Sequence, residues 1–190
     1  YGVKMGIVDA LRRRGCEVVL LPHTTHAEAI LALDPAGVVL SNGPGDPAVL
    51  AAAVATVGDL VGRLPVMGVC LGHQLLARSL GGRTYKMKFG HRGSNQPVLD
   101  QTSSRVMITT QNHGYAVDQE SLPSSVEVTH LNLNDGTVEG LRHRHLPAFS
   151  VQFHPEGRPG PTDADFLYDS FLALIKERSG TPSSYTKEHA

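Results

Sequence analysis

The chain has 190 residues, of which 41% are hydrophobic, and its 17 basic and 18 acidic side chains give a formal net charge of −1. This length fits one globular domain. Because basic and acidic residues are interspersed, the sequence predicts no charged surface that would bind nucleic acid or a membrane. Only two cysteines are present, and no stretch approaches the roughly 18 apolar residues of a membrane span, so we expect a cytoplasmic protein without a disulfide framework.

The first half of the chain alternates between helical and strand patterns. Helices are predicted at residues 3–14, 26–33, 48–64 and 71–80, and strands at residues 17–21, 36–40 and 66–69. Short apolar strands between helices are typical of a parallel sheet that is covered on both faces. The sequence therefore predicts an α/β fold with a mostly parallel central sheet flanked by helices.

The second half is richer in extended segments. They are predicted at residues 84–89, 106–110, 126–131, 138–142 and 148–153, with turn residues such as Asn134 to Gly136 between them. A helix is predicted at residues 163–178, and the polar residues 179–190 are predicted to be a flexible tail. We expect the extended segments to form an added β extension around a site.

Cys70 lies where the strand at 66–69 meets the helix at 71–80, in the sequence PVMGVCLGHQ of residues 65–74. Gly68 and Gly72 complete a G-x-C-x-G pattern, in which a sharp turn presents the central side chain. The start of the following helix favours negative charge, so we expect Cys70 to be a nucleophile with thiolate character. An isolated cysteine is more often a core residue, and the two glycines favour the nucleophile.

His154 is the predicted base, in the sequence SVQFHPE of residues 150–156. If this segment is extended, Glu156 projects from the same face and can orient the imidazole. Cys70, His154 and Glu156 then form a catalytic triad in that order.

Other histidines and glycines give weaker signals. His143 and His145 would be neighbours on one strand face, but no cysteine or acidic ligand completes a site, so we expect no bound metal. His73 and His113 flank the site without a carboxylate two residues away. The glycine loop at residues 41–47 lacks the Lys-Ser/Thr ending of a phosphate-binding P-loop.

These motifs together resemble the class I (triad) glutamine amidotransferases. Three segments occur in that family's order: the SNGPGDP loop of residues 41–47, the sharp turn at Cys70 (residues 68–72, here called the elbow), and the run from His154 to Glu156. The run YKMKFGHRGSNQP at residues 85–97, with QNHGYAVD at 111–118 and GPTD at 160–163, is similar to the small, glutamine-hydrolysing chains of carbamoyl-phosphate synthetases. The resemblance implies a flavodoxin-like fold over residues 1–178.

The resemblance also implies roles for individual residues. Cys70 would attack the glutamine amide, His154 would act as base and then acid, and Glu156 would orient it. The backbone of Leu71 and of Gly43 or Gly45 would form the oxyanion hole. The residues that would hold L-glutamine are Leu71, Gln74, Asn112, Gly114 and Tyr115.

The family pattern implies partners as well. Ammonia would pass to a large synthetase chain, where ATP and Mg²⁺ would bind, so no cofactor is expected in this chain. The family also has a first strand and a separate N-terminal domain before the position of Tyr1, and we expect both to be missing here. The alternatives are an amidotransferase for anthranilate, aminodeoxychorismate or GMP synthesis, or a non-catalytic docking module.

Overall fold

The computed structural model describes residues 1–180. The helices are α1 (Met5–Arg12), α2 (Ala27–Leu31), α3 (Ala51–Leu60), α4 (Leu71–Ser79) and α5 (Leu167–Arg178). The strands are β1 (Val38–Leu40), β2 (Val66–Val69), β3 (Arg83–Asp100), β4 (Arg105–Asp118), β5 (Val126–Asn132), β6 (Val138–His143) and β7 (Ala148–Val151). Most predicted elements are present, and β2 has the predicted bounds. Of the tail predicted at residues 179–190, residues 181–190 lie outside the described residues.

One seven-stranded sheet organises the fold, in the order β1-β2-β7-β6-β5-β3-β4. The α/β class is confirmed, and the sheet is mixed: β1, β2 and β7 are parallel, whereas the remaining neighbours pair antiparallel. The added β extension is therefore continuous with the central sheet. Hairpin connections join β3 to β4 and β5 to β6, and short connections of this kind enforce antiparallel pairing.

The strand predicted at residues 17–21 is wrong. This segment pairs with no strand among residues 1–180, and Val19 and Leu20 are 62% and 55% exposed. An apolar cleft of about 1110 Å³ lies between it and β1. An extended run becomes a strand only when a neighbour accepts its hydrogen bonds, and here no described segment does so.

Two hydrophobic clusters cover the two faces of the parallel strands. One joins α1 and α5 to β2 and β7, and includes Ile7, Met67 and Phe153. The other joins α3 and α4 to the sheet through residues such as Val57 and Leu75. Residues after β2 and β7 are therefore held by packing from both sides.

Arg14 has a structural role that the sequence did not indicate. Its guanidinium lies 2.7 Å from a carboxylate oxygen of Asp169 in α5 and 2.8 Å from one of Asp165. It also stacks over the Tyr168 ring, 5.5 Å from the centroid. These contacts tie the end of α1 to α5.

Within residues 1–180, none of the helices has the length and apolar character needed to cross a membrane.

Candidate active site

Cys70 occupies the sharp turn between β2 and α4. Its backbone has a φ of +56°, which is strained for a residue with a side chain. A Cβ added to Gly72 would collide with the carbonyl oxygen of Leu40, and one added to Gly68 would lie 2.6 Å from the Gly72 oxygen. Both glycines are therefore required by the close approach of the backbone, as the elbow pattern predicts.

The sulfur of Cys70 is more deeply buried than the sequence pattern indicated. Cys70 is only 4% exposed, and burial raises the pKa of its thiol to about 12 although the Leu71 backbone N–H and the Lys4 charge act to lower it. The expected thiolate is thus not the resting form: the positive end of α4 is outweighed by desolvation. The thiol lies 4.0 Å from the backbone oxygen of Asn112, to which it donates.

His154 and Glu156 are brought beside this elbow by the pairing of β7 with β2. The backbone N–H of Cys70 donates to Val151 at 2.9 Å, and His154 follows three residues later. The segment is not a continuous strand, since His154 forms one bridge to Thr110 and the chain then turns. The predicted contact still forms, with 2.8 Å between His154 Nδ1 and Glu156 Oε1.

Glu156 is held as an ionised group. Its side chain is fully buried, which by itself raises the pKa of the carboxyl, but the hydrogen bond and charge of His154 and the contact with Lys4 outweigh burial and leave the pKa lowered. Lys4 Nζ lies 2.8 Å from Glu156 Oε1. Sequence reasoning missed Lys4, because it lies 152 positions away in the chain and belongs to no catalytic motif.

The loop at residues 41–47 lies next to the elbow. The oxygen of Ser41 accepts from the Gly72 N–H at 3.1 Å. A side chain at Gly43 would strike the oxygen of Tyr1 and approach Leu71 Cδ2 to 2.8 Å, and Gly45 has a φ of +104°. Of the predicted oxyanion residues, Gly43 and Leu71 thus lie against each other, and Gly45 follows two positions later in the same loop.

The predicted substrate residues lie on α4 and β4. Gln74 is buried, not solvent-facing, and its amide nitrogen donates to the Tyr115 oxygen and to Gln152 Oε1, both at 2.9 Å. Asn112 and Gly114 are part of β4, where Asn112 pairs with Arg92 and Tyr115 with Lys86. The structure therefore places Gln74 in contact with Tyr115, and Asn112 in contact with Cys70.

A buried polar network connects β4 to β3 and β6. Ligand atoms of His91, His113 and Glu139 lie within 4.8 Å of one another, a cluster that sequence spacing did not indicate. Gln111 Oε1 lies 2.9 Å from a ring nitrogen of each histidine, and the other nitrogens contact Asp135 and the Tyr115 oxygen. Each ring nitrogen has a protein partner, so the cluster holds β3 and β4 together around Asn112.

His73 lies in the first turn of α4 and contacts β7. It is fully buried and hydrogen-bonds Ser150 Oγ at 2.9 Å, and burial lowers the pKa of its imidazole to about 3. Burial likewise lowers the pKa of His113 to about 4. Both are neutral at ordinary pH, and neither has a carboxylate partner of the kind that His154 has.

The relatives found by comparison with known proteins agree with one another. The family model for glutamine amidotransferase class-I matches residues 1–174. The chain is 57% identical over 178 residues to the carbamoyl phosphate synthase small chain of Staphylococcus haemolyticus, covering 93% of this chain and 49% of the relative. It is 56% identical over 173 residues to that of Methanocaldococcus jannaschii, covering 91% and 49%.

A solved structure supports the fold. The chain superimposes on a GMP synthase protein from Thermoplasma acidophilum with a TM-score of 0.79 and 22% identity, covering 92% of this chain and 89% of that one. This likeness concerns the fold alone. The chain spans about half the length of the curated relatives it matches. With a matching family model over residues 1–174, and relatives of more than 50% identity, this chain belongs to the class I glutamine amidotransferase family.

Proposed function

We propose that this chain is the glutaminase domain of a carbamoyl-phosphate synthetase small chain. It hydrolyses L-glutamine and supplies ammonia to a large synthetase chain. The identity of 57% and 56% to two relatives with that name supports the proposal. The KMKFGHRG run of residues 86–93, which is typical of this subfamily, adds support.

Cys70, His154 and Glu156 perform the reaction. The sulfur of Cys70 attacks the side-chain carbonyl carbon of glutamine while His154 takes the thiol proton. His154 returns that proton to the departing nitrogen, which leaves as ammonia from a γ-glutamyl thioester. His154 then takes a proton from water, which attacks the thioester and releases glutamate and the free thiol.

Burial of Cys70 bears on the first step. Because its thiol pKa is raised to about 12, the proton leaves during the attack on bound glutamine and not before it. The backbone N–H groups of Leu71 and of Gly43 or Gly45 stabilise the oxyanion, and such a donor contributes about 3 to 4 kcal/mol where it has been removed. Gln74, Asn112, Gly114 and Tyr115 hold the substrate.

The observation that carries the proposal is the pairing of β2 with β7. Two neighbouring parallel strands end at the same edge of the sheet, and Cys70 follows one while His154 follows the other. Catalytic groups of open α/β sheets collect at such carboxyl ends. The 2.8 Å contact between His154 and Glu156 gives the base its orientation.

Partners and cofactors follow from the same proposal. The chemistry uses a thiol, an imidazole and a carboxylate, so this domain uses no cofactor of its own. ATP and Mg²⁺ belong to the large chain. The alternatives are the same glutaminase chemistry in anthranilate, aminodeoxychorismate or GMP synthesis, and a non-catalytic docking module.

The test measures glutamate release from glutamine by the chain and by Cys70→Ser, with and without a bacterial carbamoyl-phosphate synthetase large chain with ATP and bicarbonate. We expect turnover that the large chain accelerates and that Cys70→Ser lowers at least about 1,000-fold, as for other triad nucleophiles. Turnover independent of Cys70 contradicts the mechanism. Turnover unchanged by the large chain contradicts the assigned partner, and acceleration by a GMP or anthranilate synthase chain instead supports the alternative.

A further inference from the structure

Lys4 contacts the carboxylate that orients the catalytic histidine. Its Nζ atom lies 2.8 Å from Glu156 Oε1, the same oxygen that lies 2.8 Å from His154 Nδ1. The Glu156 side chain is fully buried, whereas the Lys4 side chain is 33% exposed. A buried carboxylate is costly without a compensating charge, and Lys4 supplies that charge from the segment before α1.

The main chain of the same residue is tied to the glycine loop. The Lys4 backbone N–H donates to Asn42 Oδ1 at 2.9 Å, and Asn42 Nδ2 donates to the Gly2 oxygen at 3.3 Å. Asn42 immediately precedes Gly43, one of the proposed oxyanion residues. One residue thus links the triad carboxylate to the loop that faces the reacting carbonyl.

Packing keeps this link in place. A Cβ added to Gly6, two positions after Lys4, would lie 2.9 Å from Glu156 Cγ, so α1 begins directly against the carboxylate. The other groups that face Glu156 are His154 on its own segment and Tyr168 of α5, whose hydroxyl is 3.5 Å from Oε2. Cys70 of the elbow also lies within electrostatic range. Among these groups Lys4 carries the permanent positive charge.

We propose that Lys4 is a positioning residue of the amidotransferase reaction, which keeps Glu156 ionised and aimed at His154 and holds the Gly43 loop in register. This rests on the proposed function. The Lys4 ammonium and the His154 ring share Glu156 Oε1, and the ammonium offsets the cost of keeping that carboxylate buried and charged.

The test compares Lys4→Met and Lys4→Arg with Lys176→Met, which removes an exposed lysine in the last turn of α5. The readouts are kcat and KM for glutamine hydrolysis and the profile of kcat/KM between pH 5.5 and 9. A second readout that needs no turnover is the rate at which a glutamine-like chloroketone alkylates Cys70, followed by mass spectrometry across the same pH range. Circular dichroism measures the folded fraction.

We expect Lys4→Met to lower kcat/KM and the alkylation rate roughly 10- to 100-fold. The acidic side of its kcat/KM profile should move to higher pH, because removing a positive charge favours protonation of the groups around Glu156. Lys4→Arg should retain most of the activity and leave the acidic side of the kcat/KM profile where it is in the parent chain. Lys176→Met should match the parent chain. A merely structural role would lower the folded fraction and leave the pH dependence of kcat/KM unchanged.

Two failures are distinguishable. If Lys4→Met keeps the parent pH profile, or if Lys4→Arg is as impaired as Lys4→Met, the Lys4 proposal is overturned while the triad stands. If the parent chain shows neither turnover nor labelling of Cys70, the proposed function and the role of Lys4 fall together.

Discussion

At the scale of single residues, the site depends on one carboxylate oxygen. Glu156 Oε1 lies 2.8 Å from both His154 Nδ1 and Lys4 Nζ. The imidazole is thereby fixed in the tautomer whose other nitrogen can face the thiol. Since the Glu156 side chain is fully buried, contacts with these two protein groups set the position of its carboxylate.

Glu156→Gln should preserve the shape of this residue and remove its charge. An amide can present its nitrogen to His154 and so favour the wrong tautomer, and a similar change in a serine protease triad costs about 10⁴ in kcat. We expect kcat for glutamine to fall about 10²- to 10⁴-fold with a smaller change in KM. Steady-state glutamate release measures both, and Glu28→Gln, at an exposed position of α2, is the control. A fall of less than tenfold would contradict the role of Glu156.

At the scale of secondary structure elements, the elbow depends on how closely β1, β2 and α4 approach each other. Gly72 is in the first turn of α4, yet the space for its side chain is filled by the Leu40 carbonyl of β1. Helix propensity alone would favour alanine at this position. The contact between elements therefore overrides the local preference.

Gly72→Ala should destabilise the chain by about 3 kcal/mol, since the backbone of β1 cannot give way as a flexible side chain can. Gly58→Ala is the matched control, because Gly58 lies on an exposed face of α3 with no atom within 4 Å of an added Cβ. It should stabilise the chain by about 0.5 to 1 kcal/mol. Urea unfolding measures both changes. If the two variants changed the free energy of unfolding equally, the contact between Gly72 and the Leu40 carbonyl would not explain the need for glycine.

At the scale of the whole molecule, buried neutral histidines connect folding to pH. Burial lowers the pKa of His73 to about 3 and that of His113 to about 4, whereas an unfolded histidine titrates near 6.5. Below about pH 6.5 the unfolded chain therefore binds more protons than the folded chain. Stability contributed by these histidines is present above that pH and is lost as the pH falls towards 4.

We expect His73 and His113 to lower the free energy of unfolding by up to about 2.7 kcal/mol per pH unit between about pH 6 and pH 4, at about 1.4 kcal/mol each. Burial also lowers the pKa of His130, which acts in the same direction. His91 does not add to this slope, since hydrogen bonding to Glu139, opposed by burial, raises its pKa to about 9 and both states hold its proton in this range. Urea unfolding at several pH values measures the slope. His73→Gln should reduce the slope by up to about 1.4 kcal/mol per pH unit, with the exposed His145→Gln as control, and an unchanged slope would exclude His73 as a source.

The α/β class, most element positions and the candidates Cys70, His154 and Glu156 could be predicted from the amino-acid sequence alone. These follow from local physics: the period of apolar residues, glycines at a tight turn, and two polar residues spaced two apart. Four features required the three-dimensional structure: the mixed order of the sheet, the lack of a strand partner for residues 17–21 among residues 1–180, the raised thiol pKa of Cys70 and the contact of Lys4 with Glu156. Each of these depends on desolvation, or on hydrogen bonds between segments distant in the chain, and neither leaves a periodic signal in the sequence.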